Sequence, residues 1–304
     1  MTESNIKFVG LHAHSGFSIF DGLGNPDEHI DFAIENGMNA LALTDHGQMN
    51  GLPFQVDKAK KLKKQGVDFK PIYGVEAYFV ESIDAWKKEY ADYKSKNKSK
   101  KKEESALVIE DEQASKKAER NILNRRAHLV ILAQNQKGLN NLFELVSKSY
   151  SSDSFYRYPR IDLDMLKEHN EGLIISTACL GGPLAKIYWQ NREKGDDVVL
   201  EKMVETIRKF TAIFGDRFYC ELQWNGYKEQ HEVNKFIIKA AQQENVELIS
   251  TADSHYARPE LFKDRELYKQ LGWLGKKGDK DDQTLPSSRE DLKCELYPKN
   301  GDQM

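Results

Sequence analysis

Short runs of β-branched and aromatic residues alternate with longer stretches of helical periodicity along most of this chain. This alternation is typical of strand–helix units repeated around a parallel sheet. About seven such units fit into the chain, which favours a closed, TIM-like α/β barrel. An open doubly wound sheet is disfavoured, because it usually carries a glycine-rich phosphate loop after its first strand and this sequence has none.

The boundaries of these units follow from the same periodicity and from helix-capping residues. Asn25, Pro26 and Gly37 are typical of a helix start and stop. Strands are predicted near residues 7–11, 40–44, 71–80, 127–133, 173–176, 218–223 and 246–251. Helices are predicted near residues 25–37, 52–65, 138–150, 162–169, 196–214, 227–244 and 259–273.

One segment departs from the alternation of predicted strands and helices. Residues 84–120 contain a dense lysine run at 93–104, and so polar a segment buries too little apolar surface to offset the entropy of ordering. We interpret it as a solvated insertion, most simply an exposed loop, with nucleic-acid contact as the alternative. Residues 1–275 would then form one domain, and residues 276–304 a polar tail.

Composition excludes several classes of protein. The three cysteines, Cys179, Cys220 and Cys294, are far apart and form no Cys-x-x-Cys pair, so we expect no disulfide framework and a cytoplasmic location. No apolar stretch of roughly 18 residues is present, which argues against contact with a membrane. A net charge of -3 gives no overall attraction to nucleic acid, so any DNA contact would depend on a local basic patch or on metal cations.

Side chains that can bind metals gather just beyond the predicted strand ends. They are His12 and His14 after the first strand, Asp45 and His46 after the second, Glu76 in the third, and Asp253 and His255 after the seventh. A lone His-x-His is a weak motif, but barrel enzymes place their chemistry in the loops after the strands. Imidazole with carboxylate oxygen is the ligand set of zinc, manganese or iron. Two such ions promote phosphoryl displacement, so the sequence predicts phosphoester hydrolysis.

Several segments, in order, resemble a known family. Residues 10–22 (Gly-Leu-His-Ala-His-Ser-Gly-Phe-Ser-Ile-Phe-Asp-Gly) and 42–51 (Ala-Leu-Thr-Asp-His-Gly-Gln-Met-Asn-Gly) are similar to the first two motifs of polymerase-and-histidinol-phosphatase (PHP) domains. The PHP domains in question are those fused to bacterial-type DNA polymerase III alpha subunits. Later segments at 71–78, 128–133, 176–182 and 252–255 match in the same order.

The resemblance implies a distorted seven-stranded (β/α) barrel and a metal-dependent 3′–5′ exonuclease or related phosphoesterase. It implies up to three divalent metals, namely zinc, manganese or iron, with magnesium as a further option. The implied metal ligands are His12, His14, Asp21, His46, Glu76, His128, Cys179, Asp253 and His255. We assign the catalytic roles to Asp45, His46, Asp253 and His255.

Some members of this set have structural alternatives. Asp21 lies in an Asp-Gly turn signal, and Cys179 has the alternative of a small buried apolar residue. His128 lies at the start of its predicted strand, the wrong end for a barrel site, so either it is a core histidine or the boundary is displaced. Arg160, in an aromatic and basic segment, is predicted to contact substrate, with a packed surface loop as the alternative. Asp162 is predicted to cap a helix.

Three functions remain open from the sequence. The chain is an exonuclease module of a replicative polymerase, a non-catalytic scaffold that docks a proofreading subunit, or a stand-alone phosphomonoesterase of the histidinol-phosphatase type. The first two imply single-stranded DNA 3′ ends, a polymerase core of the same protein, a proofreading exonuclease subunit and other replisome components as partners. Because polymerising relatives continue into palm, thumb and fingers, we expect a truncated or split protein that cannot polymerise alone.

Overall fold

The computed structural model describes residues 7–103, 121–272 and 287–304. Its helices are α1 (Pro26–Glu35), α2 (Leu52–Lys64), α3 (Ile83–Glu103), α4 (Gln136–Ser149), α5 (Leu163–Glu168), α6 (Pro183–Asn191), α7 (Asp196–Phe214), α8 (Lys228–Glu244) and α9 (Phe262–Leu271). Its strands are β1 (Ala40–Leu43), β2 (Lys70–Phe79), β3 (Ala127–Ala133), β4 (Phe155–Tyr156), β5 (Tyr158–Ile161), β6 (Leu173–Ser176), β7 (Phe218–Gln223) and β8 (Leu248–Thr251).

The sheet closes on itself through residues 10–14. In the sheet β1 pairs with β2, and the order continues through β3, β6 and β7 to β8. Gly10 bridges β1 at Leu41, while Ala13 bridges Ser254, just beyond β8. The predicted first strand is therefore present as two isolated bridges, and with it the ring has seven members. The expected α/β barrel is confirmed.

One strand of the ring runs against its neighbours. Strand β3 is antiparallel to both β2 and β6, whereas β1–β2, β6–β7 and β7–β8 are parallel. The ring is thus a distorted form of the all-parallel barrel, and the start of β3 lies at the end where its parallel neighbours finish. Because His128 pairs with Tyr78 near the end of β2, it lies at that end as well.

Helices cover the outer face of the ring through regular apolar stripes. On α7, Val199, Met203, Ile207 and Phe210 are almost fully buried and recur at helical spacing. They belong to the same core as Leu129 and other residues of the sheet. Each such side chain contributes about 1.5–3 kcal/mol when fully buried. This packing fixes the strand ends that carry the site.

The lysine-rich insertion begins as a helix. Residues 83–103 form α3, so the expectation of a loop is wrong for this part. The reason is an apolar stripe within the polar sequence: Trp86 packs on Ile122 and Leu123, and its Nε1 donates to Ile122 O at 2.8 Å. Residues 104–120 lie outside the described residues, and contact of the insertion with nucleic acid stays a prediction.

Residues 287–304 pack against the barrel at the loop that follows β8. The backbone amides of His255 and Tyr256 donate to Leu296 O at 2.6 and 3.1 Å. Tyr297 is buried against Tyr256 and Phe262. The described part of the predicted polar tail is therefore attached to the loop that follows β8. No helix in the described ranges is both long and apolar enough to span a bilayer.

Candidate metal centre

The predicted ligands converge at one end of the barrel. His12 and His14 lie in the closing segment, His46 follows β1, and Glu76 is near the end of β2. Asp253 and His255 follow β8 on a loop where Asp253 has a φ of 48°. A non-glycine residue in this left-handed region costs about 1–3 kcal/mol, a strain typical of functional loops.

One group of ligand atoms is formed by His12, His14 and Asp253. The two Nε2 atoms are 3.2 Å apart, and they lie 3.2 and 3.4 Å from Asp253 Oδ1. In a tetrahedral site with metal–nitrogen distances near 2.1 Å, neighbouring ligand atoms are about 3.4 Å apart. The observed spacing therefore matches that of atoms that share one metal ion.

A second group surrounds Glu76, which is almost fully buried. His46 Nδ1 lies 2.5 Å from Glu76 Oε2, and His128 Nδ1 lies 3.0 Å from Glu76 Oε1. Cys179 Sγ is 3.8 Å from both Glu76 Oε1 and His128 Nδ1. His128 and Cys179 thus lie beside the centre. His128 reaches it because β3 is antiparallel to β2, and β3 begins at Ala127, as the sequence predicted.

A third group joins His14, His46 and His255, whose ligand nitrogens lie within 4.8 Å of one another. Asp21 lies at its edge, with Oδ2 at 3.1 Å from His46 Nε2 and 3.6 Å from His255 Nε2. Arg265 holds Asp21 in place by donating to Oδ1 at 2.5 Å and to the backbone oxygen at 2.9 Å. Asp21 is therefore positioned as more than a turn residue.

These residues fit divalent metal ions. Three buried atoms of the centre, His46 Nδ1, Glu76 Oε2 and Asp253 Oδ1, make no hydrogen bond of good geometry. His46 Nδ1 and Glu76 Oε2 are nevertheless 2.5 Å apart, and Asp253 Oδ1 lies 3.2 Å from His12 Nε2. Unpartnered buried polar atoms are costly. Cations held between the imidazoles and the carboxylates of the separate groups would satisfy these atoms.

The electrostatics of the centre lead to the same conclusion. Burial opposes a charge on His46, but the Glu76 and Asp21 carboxylates together outweigh it and raise the pKa of His46 to about 10. Burial likewise disfavours a charge on His12, yet Asp253, Glu221 and Glu76 raise its pKa well above the ordinary value. Burial, followed by the neighbouring His46 and His255, lowers the pKa of His14 to about 3. The carboxylates of the centre thus favour positive charge beside them, and divalent cations would supply such charge.

Glu221, on β7, was missed by the sequence analysis. Its carboxylate is almost fully buried and lies 2.7 Å from His12 Nδ1, and it accepts hydrogen bonds from Ser176 Oγ and Thr251 Oγ1 at 2.5 Å each. A proton on Nδ1 of His12 leaves Nε2 free to face Asp253 as a ligand. The available signal was an acidic residue inside the otherwise apolar run of β7.

Asp45 was predicted to be catalytic, but its contacts assign it to positioning. Ser15 N and Ser15 Oγ donate to the two carboxylate oxygens at 2.8 Å each, and Ser18 Oγ donates at 2.7 Å. With its oxygens so engaged, Asp45 belongs to none of the three ligand groups. It anchors the loop between His14 and Asp21.

Arg160 was predicted to contact substrate, and the structure contradicts this. The side chain is fully buried, and its guanidinium donates to the backbone oxygens of Arg125 at 3.1 Å, Tyr156 at 2.8 Å, Tyr158 at 3.2 Å and Leu123. It also lies over the Trp86 ring at 4.4 Å. Arg160 therefore ties the insertion to β5, and four of its five N–H groups donate to backbone oxygens.

Comparisons with known proteins place the chain in a family. The PHP domain family matches residues 10–225. The DNA polymerase III subunit alpha of Aquifex aeolicus is 36% identical over 83% of this chain and 18% of that protein, and that of Borreliella burgdorferi is 31% identical over 96% and 22%. The chain thus spans about a fifth of the length of these curated relatives.

Among solved structures, an amidohydrolase from Chromobacterium violaceum with bound sulfate and no metal matches at 15% identity and a TM-score of 0.43. It covers 82% of this chain and 87% of that chain. The sequence matches alone decide the family: this chain belongs to the PHP domain family and is related to the N-terminal PHP part of DNA polymerase III alpha subunits.

Proposed function

We propose that this chain is a metal-dependent phosphoesterase that removes nucleotides from the 3′ end of single-stranded DNA, as the PHP part of a replicative polymerase alpha subunit. The convergence of three ligand groups at one barrel end supports the metal dependence. Kinship with DNA polymerase III alpha subunits supports DNA as the substrate.

The reaction is hydrolysis of the terminal phosphodiester. A bond forms between water oxygen and phosphorus, the bond from phosphorus to the 3′ oxygen breaks, and the products are a nucleoside 5′-monophosphate and a shortened strand with a 3′ hydroxyl. Divalent ions held by the ligand groups would lower the pKa of the attacking water and offset the charge of the phosphate.

The chain's own residues prepare the centre for this reaction. Glu221 orients the His12 ring, and Arg265 holds Asp21 against His46 and His255. We assign metal binding to the nine predicted ligands, and within that set we assign the catalytic roles to His46, Asp253 and His255. The partners would be the polymerase core, a proofreading subunit and other replisome components.

Digestion of a 3′-labelled single-stranded oligonucleotide with manganese or zinc tests the proposal. The wild type is compared with Asp253→Asn, which keeps the side-chain shape and removes one ligand charge, and with Glu247→Gln, an exposed carboxylate changed in the same way. We expect shortening by the wild type and Glu247→Gln, and at least a 100-fold lower rate for Asp253→Asn.

Two outcomes would replace the proposal by one of the other functions. Equal inactivity of all three proteins at full metal occupancy would favour a scaffold that stabilises a polymerase. Turnover of histidinol phosphate or another phosphomonoester, with the oligonucleotide left intact, would favour a small-molecule phosphatase.

A further inference from the structure

Two cations lie beside the metal centre without a carboxylate partner. Arg126 precedes β3 by one residue, and Lys186 lies in the first turns of α6, a few residues after Cys179. Among the residues with described side chains, neither Arg126 nor Lys186 has a carboxylate oxygen within 4.0 Å. Some other arginines among the described residues are paired with a carboxylate, as Arg208 is with Glu244.

Arg126 rests on two tyrosines that border the centre. Its guanidinium carbon lies 3.7 Å from the ring centroid of Tyr158 and 5.1 Å from that of Tyr78. The Tyr78 ring is in turn 6.0 Å from the His46 ring and 5.6 Å from the His128 ring. One aromatic ring therefore separates the Arg126 charge from the group around Glu76.

The hydrogen-bonding capacity of Arg126 is largely unused. Nη1 donates to Asn124 O at 3.0 Å, while Nε is buried and has no partner. Burial and, second, the charge of Arg126 lower the pKa of Lys186 to about 8. His128 N donates to Gly181 O at 2.9 Å, and Lys186 N donates to Gly182 O at 3.1 Å. The first turn of α6, which carries Lys186, therefore lies beside the start of β3, which Arg126 precedes.

A pair of partly buried cations that repel each other costs free energy unless an anion joins them. The carboxylates of the centre cannot fill this role once they bind divalent ions, because the metal charge then offsets theirs. An anion that enters from outside can do so. Arg and Lys donors bind phosphate oxygens strongly, and phosphate is the anionic group of the proposed substrate.

We infer that Arg126 and Lys186 form a phosphate subsite on the His128 and Cys179 side of the metal centre. This inference rests on the proposed function and deepens it, since it names the residues that hold the phosphate group of the substrate. The ligand is a phosphate group, from either a diester in DNA or a monoester. Arg126 and Lys186 would bind one side of the phosphate group, and the metal-ligand groups would face its other side.

The test measures binding of inorganic phosphate and of a phosphorothioate-linked octathymidylate by calorimetry, on metal-loaded protein. Arg126→Gln, Lys186→Gln and the double variant are compared with Arg208→Gln and Lys239→Gln, which remove the same charges from α7 and α8. We expect each subsite variant to lose about 10-fold or more in affinity for phosphate, with metal content unchanged, and the two controls to keep wild-type affinity.

The oligonucleotide arm distinguishes the two sources of phosphate. An equal loss for both probes means that the subsite takes a diester, and a loss for inorganic phosphate alone means that it takes a monoester; either result supports the subsite. Unchanged affinity of the double variant for both probes would overturn it, as would a wild type that binds neither probe.

A second measurement needs no variant. Inorganic phosphate is expected to protect Lys186 from acetylation in the wild type, while Lys239 reacts equally with and without it, as read by mass spectrometry. No protection of Lys186 would overturn the subsite. Phosphate binding without DNA cleavage would sink the nuclease proposal and leave the subsite standing, whereas DNA cleavage with an unchanged KM in the double variant would do the reverse.

Discussion

Replacing Glu221 by Gln isolates the electrostatic role of a carboxylate that contacts the predicted ligand His12 and is not itself one of the predicted ligands. The substitution keeps the shape of a side chain that is almost fully buried. It replaces the charged acceptor opposite His12 Nδ1, at 2.7 Å, by a neutral amide. Ser176 and Thr251 carry hydroxyl groups that can rotate to suit the amide, so the fold is expected to survive.

The expected magnitude follows from what Glu221 does for His12. A carboxylate behind a ligating imidazole fixes its tautomer and raises its basicity, and losing such a partner typically costs about 10- to 100-fold in metal affinity. This corresponds to about 1.4–2.7 kcal/mol in binding free energy. Only the group of His12, His14 and Asp253 should weaken by this amount, and the group around Glu76 should keep its affinity.

Competition with a chromophoric zinc chelator measures this affinity, and circular dichroism checks the fold. Glu247→Gln, on the exposed turn before β8, is the matched control and should bind zinc as the wild type does. Wild-type zinc affinity in a folded Glu221→Gln protein would refute the orienting role of this carboxylate.

Three further predictions concern the titration, the insertion and Arg160. Metal binding at pH 7.5 should release at least one proton, because metals bind neutral imidazole while the pKa of His46 is raised to about 10 and that of His12 well above its ordinary value. Calorimetry in buffers of different ionisation enthalpy counts the released protons. A count of zero would mean that neither histidine is protonated before the metal binds. Arg160→Met should destabilise the protein by about 3 kcal/mol or more in urea unfolding, because four backbone oxygens lose their hydrogen-bond donor. A change in unfolding free energy under about 0.5 kcal/mol would mean that these contacts are dispensable. Trp86→Ala should lower the free energy of local unfolding of α3 by about 3 kcal/mol. The expected readout is faster amide hydrogen exchange in α3 with unchanged metal content. Equal exchange in the wild type and the variant would show that Trp86 does not hold the helix.

The barrel could be predicted because its signals are local. Strands β6 and β7 and helix α7 begin and end where residue periodicity placed them. The direction of β3 could not be predicted in this way. An isolated strand has the same alternation whichever way it runs, and only its pairing with β2 and β6 makes it antiparallel. That single reversal explains why His128 seemed to lie at the wrong end.

The site was predicted where side-chain chemistry alone is informative. Histidines and carboxylates just after strand ends are unusual enough to be noticed, and these residues converge. Glu221 was missed because one acid within a strand has no short-range partner; its contact with His12 spans 209 residues of sequence. Arg160 was misassigned for the opposite reason, because basic and aromatic residues look alike whether they face a ligand or, as in this fold, the backbone.

The insertion illustrates how composition can mislead. Its lysines indicate a solvated segment, and α3 is indeed polar on average. A helix needs only one apolar stripe to be held, and Trp86 and Tyr90 provide it one turn apart against Ile122. The average over the segment concealed this stripe.

Anomalous diffraction from crystals grown with zinc or manganese, recorded at the absorption edge of the metal, shows whether this end of the barrel is a metal centre. We expect one peak among His12, His14 and Asp253 and another among His46, Glu76 and His128, each about 2.0–2.3 Å from the named ligand atoms. Crystals that hold the metal only at other surface sites, with no peak at this end of the barrel, would contradict the assignment of the centre.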